Sequence, residues 1–156
     1  TEVVGDVAHA GGGDRLAQGS EPLTRALLAL QNNAPAQALE FLKDPANKAG
    51  DAGLLPHWVR GQALLQLKRG PEAVAEFEQI IAQRGQDTTW MLYPLSYLGK
   101  ARALALAGDS TQSHRYYKDF LELWRGADAD LPAVMAAKQE YIGLETEGRK
   151  QEVARR

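Results

Sequence analysis

Apolar residues recur along this chain in steps of three and four, and short polar turns interrupt them at near-regular intervals. Residues 60–81, RGQALLQLKRGPEAVAEFEQII, show the unit most clearly. Two helical segments flank the turn RGP, and Ala73, Phe77, Ile80 and Ile81 share one face of the second. The unit occurs upstream as RALLALQNNAPAQALEF from Arg25 and downstream as KARALALAGDSTQSHRYYKDF from Lys100, so the copies start 35 and then 40 residues apart. In each, a base is followed by a small residue: Ala26, Gly61, Ala101. Thirteen positions after the base stands a second small residue (Ala38, Ala73, Ser113), and an aromatic follows three or four later (Phe41, Phe77, Tyr117). Two antiparallel helices approach closely only where their side chains are small, so these residues mark the expected helix crossings.

The pattern predicts three helical hairpins. The first opens at Pro22, a residue suited to a first helical turn, and turns at QNNAP. The second follows the connector DPANKAGDAG, and the third follows RGQDTTWML and turns at Gly108 and Asp109. A last helix over 132–144 has an apolar stripe of Val134, Ala137, Tyr141 and Leu144 and would cap the open end of the array. Lys138 and Glu140 would then face solvent. Residues 1–19 read as a loose lead-in with a short helix near 3–10, residues 20–145 as the repeat domain, and 146–156 as a charged tail that frays. No segment alternates with period two over a useful length, so no strand is expected. The expected fold is an all-α solenoid of about three hairpins with a C-terminal capping helix.

Composition narrows the field without naming a function. A chain of 156 residues with 44% hydrophobic and 24% charged residues fits one globular domain. A net charge of −2 supplies no overall attraction to nucleic acid or anionic membrane. The lack of cysteine excludes disulfides and thiolate metal sites. No apolar run approaches the length of a membrane span. A start at Thr1 without signal-peptide architecture reads as an excised domain or processed product.

With these residues in place, the hairpins resemble tetratricopeptide (TPR) repeats, whose period is about 34 residues. The resemblance covers residues 20–125. The block YPLSYLGKARALALAGDSTQSHRYYKDFLELWRGADADLPAVMAAKQEYIGL also resembles the C-terminal TPR segment of multidomain bacterial signalling proteins, which carry a Ser/Thr kinase or winged-helix domain ahead of it. The resemblance implies a helical scaffold with a concave groove and places any kinase activity in another part of such a protein.

Signals for chemistry are sparse. His9, His57 and His114 stand far apart and show no metal-ligand spacing. Neither GGGD at 11–14 nor GKA at 99–101 has the frame of a phosphate-binding loop. Glu72, Glu76 and Glu78 read as a solvated helix face. Trp124 reads as core and Trp90 as cover for a hairpin end. Trp58 is either core or, with Gln62, Leu65 and Gln66, part of the groove lining. Arg25, Arg60, Lys100 and Arg102 either extend past the core to solvent or form a positive stripe that pairs with an acidic peptide. The expected function is a non-enzymatic module that binds a protein or peptide in its groove. That module would be monomeric and cytoplasmic, or else the periplasmic portion of an anchored protein. It would have no cofactor, nucleic-acid partner or membrane insertion. The candidate groove residues are Trp58, Arg60, Gln62, Leu65, Gln66, Lys100 and Arg102. A small-molecule sensing domain and a ligand-free spacer are the alternatives.

Overall fold

In the computed structural model the described residues are 12–44, 53–83, 91–128 and 130–155, with the side chains of 12–20 and 151 excepted. Among them the order is α1 (Gly12–Gln31), α2 (Pro35–Phe41), α3 (Leu55–Gln66), α4 (Gly70–Ala82), α5 (Leu92–Leu106), α6 (Ser110–Leu123) and α7 (Pro132–Ala154), with no strand. Pro35, Pro56, Pro71 and Pro132 each lie in a first helical turn, where the missing N–H has no helical partner to lose. Each helix packs against the next for which residues are described. The odd-numbered helices also meet, α1 against α3 and α3 against α5.

The small-residue register is built into the packing. Ala26, Ala38, Ala73, Ala101 and Ser113 have no solvent exposure, and Gly61 is buried. At the α5–α6 crossing the helices are close enough for Ser113 Oγ to donate to the Ala101 carbonyl at 2.8 Å. Phe77 is the centre of the array and is wholly buried. A Cβ built on Gly61 would stand 2.7 Å from its ring, and one on Gly99 2.5 Å, so α3 and α5 both close on Phe77 only because those positions are glycine. In the first hairpin Phe41 stays partly buried and Leu42 takes the inward place at 1% exposure. That agrees with Phe41 lying one step short of the register.

The three turns repeat as well. Asn33, Lys68 and Gly108 each lie eight positions after the base and each has positive φ: 56°, 59° and 84°. The next amide donates back to the first helix in every case, Ala34 to Ala29 O, Arg69 to Leu64 O and Asp109 to Leu104 O, at 2.8–3.0 Å. This is the six-to-one hydrogen bond with which a left-handed residue terminates a helix. Asp109 then caps α6 through its side chain, accepting from Gln112 N at 3.0 Å.

Both ends of the chain depart from the expectation. Helix α1 begins at Gly12, not at Pro22, which lies inside it. An interior proline forfeits one hydrogen bond, and the run Arg15-Leu16-Ala17-Gln18 ahead of it consists of good helix formers. Helix α7 likewise continues past Leu144 to Ala154. Its outer part is rich in Glu, Arg and Lys, with Glu145 and Arg149 four apart, and intrinsic propensity extends it with almost no burial. The expected stripe of Val134, Ala137, Tyr141 and Leu144 does pack into the cluster of Leu98, Ala101, Tyr117 and Phe120. The expected helix near 3–10, the connector around 45–52 and the link that holds Trp90 lie outside the described residues.

Candidate functional site

The bases expected in the groove separate according to their position in the register. Arg60 is 6% exposed and turned toward α4, where its Nε donates to Glu76 Oε1 at 3.0 Å and its Nη2 lies 3.0 Å from His57 Nδ1. His57 Nδ1 also lies 2.8 Å from Glu76 Oε2. Lys100 occupies the same register position in α5 and behaves in the same way. It is 8% exposed and bonds Tyr116 Oη and Glu78 Oε1, both at 2.8 Å. Each base reaches the residue 16 positions later, Glu76 or Tyr116, because position zero of the unit faces the second helix. Arg25 is the exception; it is exposed and pairs with Glu21 on its own helix. Arg60 and Lys100 are therefore neither solvated nor free in a groove, and Glu76 is a buried-side partner rather than part of a solvated face.

These pairs shift the titration of their members. Burial works against the Glu76 carboxylate, but the bonds from His57 and Arg60 outweigh it and hold Glu76 below its ordinary value. Burial also opposes the Lys100 charge, and the bonds to Glu78 and Tyr116 outweigh it and raise Lys100. On the same side, Tyr97 is pushed up to about 12 by burial and by its 2.9 Å contact with the Tyr93 hydroxyl.

Two positions further along α5 the direction reverses, since successive helical residues turn by about 100°. Arg102 points to the face where the odd-numbered helices meet. Its Nε and Nη2 donate to the two carboxylate oxygens of Glu140 on α7, at 2.9 and 2.8 Å. Tyr117 Oη donates to Glu140 Oε2 at 2.6 Å. Glu140 is thus not the solvent-facing residue that the pattern of α7 predicts. Burial opposes its charge, yet the Arg102 and Tyr117 hydrogen bonds hold it below the ordinary carboxylate value. Arg102 is raised against burial by the same bonds, and Tyr117 is pushed well up by burial and by its bond to the carboxylate.

This cluster forms one wall of an open cleft of about 350 Å³, lined also by Leu65 and Lys68 from the α3 side and by Ala105 and Leu106 from α5. Two expected groove residues, Leu65 and Arg102, come together here. Gln62 is half-buried and Gln66 exposed on the same helix as Leu65. Trp58 is half-buried between the first two hairpins, edge-on to Phe77 with centroids 5.7 Å apart, which resolves its two readings toward packing. Trp124 packs on Phe120 as expected. Lys68, Leu106, Tyr117 and Glu140 were not legible as cleft residues in the periodicity. The available signal was the turn register, which puts Lys68 at a left-handed position beside the end of α3.

Among the described residues no cluster of His, Asp and Glu is arranged to hold a metal ion, and no helix is long and apolar enough to cross a membrane. No protein-family model, curated protein or solved structure matches this chain.

Proposed function

We propose that the chain is a non-enzymatic interaction module, a TPR-like array of helical hairpins that holds a peptide segment of a partner protein against its odd-numbered helices. The observation that carries this reading is the cleft bounded by Leu65, Lys68, Leu106 and the Arg102–Glu140 pair, which joins apolar floor to charged rim. Peptide-binding surfaces combine such an apolar contact with a few polar groups that set register. The open form of the cleft favours an extended peptide over an enclosed small molecule, which would be buried over most of its surface. Within this proposal the module belongs to a larger bacterial signalling protein and acts as a monomer, either in the cytoplasm or in the periplasm.

The test is to compare the full chain with Leu65→Asp and Leu106→Asp as baits in a source-cell extract. Loss of the same captured protein by both variants, with melting temperatures near the parent's, supports the cleft. Retention of that protein by both variants would sink it.

A further inference from the structure

Resting on that reading, we infer that Arg102 and Tyr117 form a carboxylate-binding site of the cleft, that Glu140 fills it from within the molecule, and that α7 thereby acts as a built-in competitor of an acidic, leucine-bearing peptide. Three observations point the same way. The site has the fork geometry that binds a carboxylate, since two Arg102 nitrogens meet two oxygens and Tyr117 adds a third donor. It is open: the side chains of Arg102 and Glu140 are 34% and 35% exposed and line the cleft, whereas those of Arg60 and Glu76 are 7% and 21% exposed. The opposite wall carries a cation available to a ligand. Lys68 is exposed and bonds no carboxylate among the described residues.

Lys68 strengthens the case through its backbone. The equivalent positions of the other turns hold Asn33 and Gly108, residue types that tolerate positive φ, whereas a lysine at 59° bears a steric penalty. A cation at a strained position beside a cleft, with Leu65 and Leu106 between it and Arg102, suits a ligand that offers carboxylates on both sides of an apolar side chain. Such a ligand must displace Glu140 from Arg102 before it makes its second ion pair. The affinity of the cleft is then set by the difference between two carboxylates, one of which is held at high local concentration by α7.

The experiment measures fluorescence anisotropy with the full chain and a labelled decapeptide of alternating leucine and glutamate, against its leucine–glutamine counterpart. Glu140→Gln removes the internal charge while keeping size, and circular dichroism checks that it folds. Glu140→Asp serves as a gentler variant that keeps the charge but shortens its reach. Expected is weak binding of the glutamate peptide by the parent, binding about tenfold tighter by Glu140→Gln, and an intermediate gain by Glu140→Asp. The glutamine peptide should show no gain, and Arg102→Gln added to Glu140→Gln should abolish it. Equal affinity of the parent and both Glu140 variants for the glutamate peptide overturns the competitor role and leaves the cleft reading standing. The same gain with the glutamine peptide also overturns it. No binding of either peptide by any folded variant overturns both.

Discussion

The Arg60–Glu76 pair and the Arg102–Glu140 pair contain the same two residue types, yet they belong to different kinds of region. The first lies between α3 and α4, beside Phe77 and the glycines that admit its ring, with the arginine almost wholly buried. The second joins α5 to the terminal helix at the rim of a cleft, and water reaches both partners. A sealed pair cannot lose one member without leaving a desolvated charge, whereas an open pair can exchange its carboxylate for another. The interior of the array is thereby committed to stability, and under the proposed function its C-terminal rim would be the part that responds to a ligand.

The contrast breaks most directly at Phe77. Phe77→Ala should lower unfolding free energy by about 3–5 kcal/mol, because the cavity is walled by helix backbone at Gly61 and Gly99 that cannot relax inward. A urea midpoint equal to the parent's would show that the centre is not the stability core. Next, Glu76→Ala should cost about 3 kcal/mol by stranding Arg60, whereas Glu140→Gln should cost about 1 kcal/mol, since water replaces what Arg102 loses. Equal losses in denaturant titrations would erase the distinction between sealed and open pairs.

Acid sharpens the same comparison. Glu76 and Glu140 both titrate below the ordinary 4.5 when folded, so the unfolded chain binds protons more readily. Their stabilisation is present in full above about pH 5 and is lost as pH falls through their folded values. Denaturant midpoints between pH 6 and pH 3 should therefore decline less steeply in Glu76→Ala than in the parent; an unchanged slope would contradict the depressed value. The smallest effect expected is at Lys68. Lys68→Gly should raise stability by about 0.5 kcal/mol, as relief of positive φ exceeds the added chain entropy. A destabilisation would mean that the lysine side chain contributes packing that its exposure does not suggest.

Much of the helical layout was legible because it depends on local spacing. The hairpin turns, the buried Ala26, Gly61, Ala73, Ala101 and Ser113, and the inward stripe of α7 all follow from which residues are small and which recur at helical intervals. The chain ends were less legible. Pro22 has the local signature of a helix start, although a helix can run through a proline when the residues on both sides favour it. The tail beyond Leu144 has the charged, apolar-poor pattern of a frayed end, although its charged residues are themselves good helix formers. The candidate site was the least legible part. Arg60 and Lys100 share one register position and Arg102 stands two residues beyond it, and the rotation of about 200° that this offset gives about the helix axis separates two interhelical staples from one cleft residue.

The sequence by itself determined that the described chain is helical, where its hairpins turn, and which small residues meet at the crossings, because each of these depends on contacts within about four residues or on a repeated spacing. The tertiary structure alone decided which carboxylate each base would meet. Glu76, Glu78 and Glu140 lie 16, 22 and 38 residues from Arg60, Lys100 and Arg102, and no local rule links them. Their pairing depends on how neighbouring helices stack, and that stacking leaves one ion pair sealed beside Phe77 and another open at the rim of the cleft.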